Sequence, residues 1–264
     1  MAGSPYERWD AGSIYEQFMG RWSEAVALRF VDWLQPGSGL CWLDIGCGTG
    51  ALTRTVVEQA SPRLIVGLDA SPGFVHFASQ HTQGAAFVAG DGGALPFEDR
   101  AFDVVVSGLA LNFMPQTDRA LADMRRIVKP NGTMAAYVWD YADKMEFLRY
   151  FWDAAVDLNP DARSLHEGTR FPICRPEPLR HLWQKSGFGN VSVVPIDIPT
   201  VFPTFEAYWQ SFMVGNFPAP MYALSRDDDQ RSRLRARLRE SVPAAKDGSI
   251  QLIARVWAVR GQRR

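Results

Sequence analysis

Cysteine, histidine, net charge and long apolar runs are all scarce in this sequence, and each shortage closes off a class of function. The three cysteines, Cys41, Cys47 and Cys174, are odd in number and form no C-x-x-C pair, which excludes a disulfide framework and suits a reducing compartment. Of the four histidines, His76 and His81 stand at no spacing from the thiols that a common metal site uses, so no metal is expected. No stretch is long and apolar enough to span a membrane, and Glu7, Arg8 and Asp10 stand where a signal peptide would be apolar. The reading is a cytoplasmic protein with no membrane span. With 28 basic against 29 acidic side chains the formal net charge is -1, too little to build the field that nucleic acid or an anionic membrane recruits.

What is present is ordinary globular material, with 47% hydrophobic residues to fill a core. Strand and helix signals alternate nearly end to end, so a single α/β domain with a cap is expected over residues 1–264. The stretch that organises them is Leu43-Asp44-Ile45-Gly46-Cys47-Gly48-Thr49-Gly50. An apolar run at 40–45 reads as a buried strand, and 51–60 has helical spacing. The three glycines therefore sit on a strand-to-helix turn, where Gly46 and Gly48 permit backbone angles closed to other residues and let a ligand lie on the main chain. The helix behind them offers free N–H groups and a partial positive charge.

Two ligands compete for that turn. Gly46-x-Gly48-x-x-Ala51 satisfies the dinucleotide fingerprint, which keeps an NAD(P)-dependent oxidoreductase open. Against it, Asp44 lies two residues before the first glycine and would set a carboxylate beside a pyrophosphate. A ligand with a sulfonium and an ammonium would be attracted instead. The next two strands, 64–69 and 85–89, lead to Asp69 and Asp91, one suited to a ribose diol and the other to an adenine amino group.

Five ordered blocks then resemble one family, the class I S-adenosylmethionine-dependent methyltransferases, and within it the branch typified by ubiquinone and menaquinone biosynthesis methyltransferases. They are residues 43–50, Val66-Gly-Leu-Asp-Ala-Ser71, Gly90-Asp91 with Leu95-Pro96-Phe97, Phe102-Asp103-Val-Val-Val-Ser107, and Arg126-Ile-Val-Lys-Pro-Asn-Gly132. One departure is Asn131, which stands where the family has a glycine and tolerates the same left-handed turn. The resemblance implies a Rossmann-like, seven-stranded, mostly parallel sheet with an antiparallel last strand, helices on both faces, and S-adenosyl-L-methionine as cofactor. It further implies that Asp44 faces the positive end of the cofactor, that Gly46, Cys47, Gly48 and Gly50 meet its methionine part, and that Asp69 and Ala70 border the ribose. Asp91 and Gly92 would read the adenine, and Ser107 would lie beneath the methionyl chain. An N-terminal segment, 1–39, would fold over the cofactor, bringing Tyr15 and Arg21 to its carboxylate; the alternative is a packed Tyr15 and a solvated Arg21.

Beyond residue 140 the resemblance fades. A mainly helical cap is expected from about 141–175 and 199–245, the second rich in rings: Phe202, Phe205, Tyr208, Trp209, Phe212, Phe217 and Tyr222. Such a cluster can wall a pocket for an aromatic or lipophilic small-molecule acceptor, form a second core, or make a homodimer face. Arg231, Arg233, Arg235, Arg237 and Arg239 spread around a helix behind Asp227, Asp228 and Asp229, a solvated face and not a nucleic-acid stripe. Asn112 is the polar side chain of the segment after the fourth strand able to orient an acceptor. For a general base Tyr15, Tyr137, Asp140, His166 and His181 are candidates, and no spacing singles one out. A cofactor-binding protein without catalysis is the third reading.

Overall fold

Strand β1, Cys41–Ile45, is buried along its whole length, as a strand covered on both faces must be, and the fold grows outward from it. The computed structural model describes residues 20–215 and 217–264. In chain order they form α1 (Arg21–Leu34), β1, α2 (Ala51–Ala60), β2 (Leu64–Asp69), α3 (Pro72–His81), β3 (Ala86–Ala89), β4 (Phe102–Gly108), a 3-10 turn (Leu111–Phe113), α4 (Thr117–Ile127) and β5 (Val128–Trp139). There follow α5 (Glu146–Leu158), a 3-10 segment (Pro160–Leu165), α6 (Glu167–Arg170), α7 (Pro176–Lys185), β6 (Phe188–Phe202), α8 (Phe205–Gln210), α9 (Pro218–Leu224), α10 (Asp228–Ser241) and β7 (Ile250–Arg263).

The described strands make one seven-stranded sheet in the order β3-β2-β1-β4-β5-β7-β6. β1 pairs in parallel with β2 and β4, β2 with β3, and β4 with β5. β7 runs antiparallel to β5, from Thr133 opposite Gln262 to Trp139 opposite Val256. The parallel order reverses at β1, so the loops leaving the carboxyl ends of β1 and β4 diverge to opposite sides, the usual place for a ligand crevice.

Several boundaries move from the sequence reading. α4 starts a turn early, at Thr117 instead of 121, with Ala120, Leu121, Met124 and Ile127 buried. β5 starts at Val128 and not 133, because Lys129 to Gly132 bulges out between the pairs Phe102–Val128 and Val104–Thr133. Asn131 takes a φ of 62° there, the left-handed angle expected of it. On α3, Phe74 and Ala78 are buried as expected. Phe77 is half-buried and stacks on His81 at 4.1 Å instead, since it lies about 60° around the helix from the 74/78 stripe.

The chain divides into two compact units. Among described residues, 20–139, 173–196 and 256–264 make the first, which holds the glycine turn; Asp140–Pro172 and Asp197–Arg255 make the second. The core of the second is aromatic. Phe212 stacks on Phe151 at 4.4 Å and on Phe147 at 4.8 Å, Phe202 lies 5.1 Å from Tyr208, and the Tyr208 hydroxyl donates to the Phe147 carbonyl at 2.8 Å. Phe202, Phe205, Tyr208, Trp209, Phe212, Phe217 and Tyr222 are all buried. These rings form a second core, one of the three arrangements open to them from the sequence. Around this core the arginines of α10 are matched by acids: Arg235 and Arg239 with Glu206, Arg237 with Asp157, Arg233 with Asp229 and Arg231 with Asp228.

A ring packed on all sides costs far more to remove than one lining a cleft. Phe212→Ala is expected to lower unfolding stability by about 3–5 kcal/mol, read from urea denaturation. A loss under about 1 kcal/mol would return these rings to a pocket wall.

Candidate functional site

The turn after β1 needs three left-handed glycines and has them: φ is 71° at Gly46, 53° at Gly48 and 90° at Gly50. Gly46 and Cys47 both donate their N–H groups to the Leu68 carbonyl, at 2.7 and 3.0 Å, and Gly48 donates to the Asp69 carboxylate at 2.9 Å. The loop is thereby fixed to the end of β2. Each glycine has a different neighbour. A Cβ on Gly46 would lie 2.3 Å from the Ala110 methyl; on Gly50 it would press Ala78 and Thr82 of the α3 end; on Gly48 it would meet nothing within 4 Å. The backbone at Gly48 is open to a ligand. Gly50 caps α2 with no side-chain hydrogen bond.

Three acids surround the turn in three different states. Asp44 is fully buried, accepts the Thr53 hydroxyl on Oδ2 at 2.7 Å, and has no partner on Oδ1. Burial pushes its carboxyl up to about 7, with the Thr53 bond opposing and the charge of Asp69 adding to the rise. Asp69 is half-buried and accepts two backbone N–H groups, from Gly48 and, at 2.8 Å, from Ser71. Burial raises its carboxyl too, the two N–H bonds opposing. A carboxylate has about four lone-pair sites, which leaves room on Asp69 for a diol. Asp91 is exposed and accepts the Gly93 N–H at 2.8 Å. Beside it Gly92 is crowded: a Cβ would lie 3.1 Å from Ile45 and 3.3 Å from Met114.

The remaining expected residues fall as follows. Cys47 is buried, and burial with the nearby charges of Asp44 and Asp69 pushes its thiol far up, so it packs the loop and offers no thiolate. Ala70 is exposed on the turn into α3. Ser107 is fully buried at the end of β4, its hydroxyl without a partner. Arg21 is exposed at the start of α1, its guanidinium 4.7 Å over the Trp22 ring. Tyr15 lies outside the described residues. Of the candidate bases, Tyr137 shares the unit of the glycine turn, its hydroxyl against Gly108, where a Cβ would lie 2.5 Å from it. His181 is exposed on α7. Asp140 and His166 belong to the other unit, where His166 caps α6 by accepting the Gly168 N–H at 2.8 Å and burial lowers its basicity. Thr53, the partner of Asp44, is absent from the sequence reading; its spacing nine residues on, one turn into α2, was the available signal.

The residues present fit an adenosyl ligand with a cationic end: an open backbone at Gly48, an unpaired buried oxygen on Asp44, and lone pairs to spare on Asp69. Residues 43–136 match the family described as a methyltransferase domain. The chain is 27% identical over 165 residues to the demethylmenaquinone methyltransferase of Staphylococcus aureus, covering 57% of this chain and 68% of that one. Among solved structures it is similar to phosphoethanolamine N-methyltransferase 2 of Haemonchus contortus in complex with S-adenosyl-L-methionine (TM-score 0.61, 14% identity, 97% of this chain and 58% of that one). It is also similar to the YcgJ protein of Bacillus subtilis (TM-score 0.57, 14% identity, 92% and 99%). At those identities the two structures establish the fold. No helix among the described residues is long and apolar enough to cross a membrane, and no group of metal-binding side chains occurs among them.

Two substitutions separate the roles of the glycines. Gly46→Ala must displace Ala110 and adopt a left-handed angle, and is expected to cost about 2–4 kcal/mol in urea denaturation. Gly48→Ala meets only the angular cost, about 1 kcal/mol, while its methyl fills the open face and weakens binding of S-adenosylhomocysteine in calorimetry. Asp44 gives a pH signature. Its folded value of about 7 lies above the unfolded 3.8, so its contribution is fully present below pH 4 and is lost as the pH rises to 7. The stability of Asp44→Asn relative to wild type should therefore climb across that window, read from thermal melts; a flat difference would mean that the carboxyl ionises normally.

Proposed function

We propose that this chain, which is a class I S-adenosylmethionine-dependent methyltransferase, methylates a small aromatic or lipophilic acceptor by in-line displacement. The observation that carries the acceptor class is the similarity to a demethylmenaquinone methyltransferase over 165 residues, whose named substrate is a lipophilic quinone derivative. Within the chain the roles are those that the resemblance implies, and the states of the side chains support them. The Gly46–Gly48 backbone cradles the methionyl part, Asp69 takes the ribose diol, and Asp91 with the Gly92 amide reads the adenine. The Asp44 carboxylate, with one oxygen unpaired, faces the cationic end.

S-adenosylmethionine, when bound, would supply an activated methyl group on a sulfur that leaves as the neutral thioether, and any proton the acceptor carried would pass to water. The protein is asked mainly for position, which can supply several kcal/mol of the barrier. Ser107 and the turn after β4 stand at the sheet end where the acceptor must be held in line. Tyr137 brings a hydroxyl to the same end, able to carry a hydrogen bond whether or not the acceptor arrives protonated.

Calorimetry with S-adenosylhomocysteine and with NAD(H) tests the cofactor, and transfer of labelled methyl to hydroxylated aromatics tests the acceptor. S-adenosylhomocysteine should bind, and Asp69→Ala should weaken it at least about tenfold, or 1.4 kcal/mol, for two charge-assisted bonds lost. Binding of NAD(H) alone would sink the assignment.

A further inference from the structure

The segment from Leu109 to Met114 is held at both ends against the cofactor loops. At one end, Ala110 lies so close to Gly46 that a Cβ there would stand 2.3 Å away; at the other, Met114 would stand 3.3 Å from a Cβ on Gly92. Leu109 adopts a left-handed φ of 59° and donates its N–H to the Tyr137 carbonyl at 2.8 Å. Such an angle is strained for leucine and persists only where its surroundings impose it. Phe113 and Met114 close the turn by donating to Ala110 and Leu111, and Leu111 is fully buried beneath it.

In the middle of this fixed turn is Asn112. Both polar atoms of its amide are buried, and neither has a hydrogen-bond partner among the described residues. Five residues earlier Ser107 is fully buried with its hydroxyl unpaired as well. An asparagine that merely tied down a loop would spend its amide on the backbone of that loop, and this one does not. Two unpaired groups of opposite hydrogen-bonding sense on one rigid turn are costly to keep unless a ligand satisfies them.

From this we infer that Asn112 is the acceptor-specificity residue of the proposed methyl transfer: its amide binds an aromatic acceptor that carries a hydroxyl beside a carbonyl or a second hydroxyl. The inference rests on the reading of the site given above. In that reading the ribose is taken by Asp69, the adenine by Asp91 and Gly92, and the cationic end by Asp44. A neutral amide offers a donor and an acceptor side by side, and so complements a group that donates and accepts side by side. Being neutral at any accessible pH, it positions the acceptor and exchanges no proton with it. A hydroxyl held beside the reacting atom also explains how a site with little charge can orient a flat, largely apolar molecule.

The test compares wild type with Asn112→Leu, which has the same number and branching of side-chain heavy atoms and no polar ones, and with Asn112→Ser, which restores one donor and acceptor. Three quantities are read: the urea midpoint, the affinity for S-adenosylhomocysteine, and kcat/KM for labelled methyl transfer to catechol and 2-hydroxy-1,4-naphthoquinone, with phenol and indole as probes lacking the pair. The expected result for Asn112→Leu is a midpoint equal to or above wild type, affinity within twofold, and kcat/KM for the paired probes reduced about tenfold or more, mainly through KM. Phenol should change little, and Asn112→Ser should recover part of the loss. A midpoint that falls with turnover makes the amide a support of the turn; an affinity that falls tenfold makes it a cofactor ligand; no change in any quantity removes its role. Each of these overturns the inference while methyl transfer stands. If S-adenosylhomocysteine binds but no probe is methylated, the acceptor class fails and the inference with it; if it does not bind, the reading of the site fails first.

Discussion

Everything about this site depends on one carbonyl. The Leu68 oxygen accepts both the Gly46 and the Cys47 N–H groups, so the chain leaving β1 must curl back onto the end of β2 before it can start α2. That path demands left-handed angles that glycine alone reaches without strain. Once the loop is there, Gly48 is within reach of the Asp69 carboxylate, Gly50 presses on α3, and Ala110 settles against Gly46. A crevice for a flat, polar ligand follows from closing a parallel sheet at the point where its strand order reverses.

How legible this was in the sequence varies with what each residue type reports. Glycine reports backbone angle directly, and Gly46, Gly48 and Gly50 were readable as a turn because no other residue would serve. Strands β1, β2 and β4 were equally plain, being short apolar runs punctuated by glycine or acid. Rings report only that they will be buried, not against what. Phe147, Phe151 and Phe212 stacking on one another and the same rings around a ligand have one and the same sequence pattern. The helices Phe205–Gln210 and Pro218–Leu224 are too short for a 3.6-residue period to register, and the bulge at Lys129–Gly132 belongs to the pairing with β4, a tertiary demand.

The three acids make the same point about charge. Asp44, Asp69 and Asp91 are identical in the sequence, yet one is sealed from water, one is half-buried under two N–H donors, and one stands in solvent. Their energetics diverge accordingly. Desolvation outweighs the Thr53 bond at Asp44, whereas at the exposed ion pairs of α10 screening leaves little to gain or lose from any one pair. The arginine run that draws the eye in the sequence is thus matched at the surface, while the decisive carboxylate is one that composition treats as ordinary.

Stability offers a way to tell a site from a scaffold without a ligand in view. A domain has only about 5–15 kcal/mol in hand, and each buried polar atom without a partner consumes about 1–3 of it. In this chain Asp44 Oδ1, the Ser107 hydroxyl, the Asn112 amide and the Thr82 hydroxyl beside Gly50 are all unpaired, and all lie in the unit of the glycine turn. Trp42, on β1 itself, adds an unpaired indole N–H and Arg125 an unpaired Nε, and Arg149 Nε and the Thr200 hydroxyl are comparable cases in the other unit. Such atoms occur in both units, so an unpaired atom alone does not mark a site. What sets Asp44, Ser107 and Asn112 apart is their place, at the ends of β1 and β4 and on the turn that follows β4, whose backbone is held by hydrogen bonds of its own.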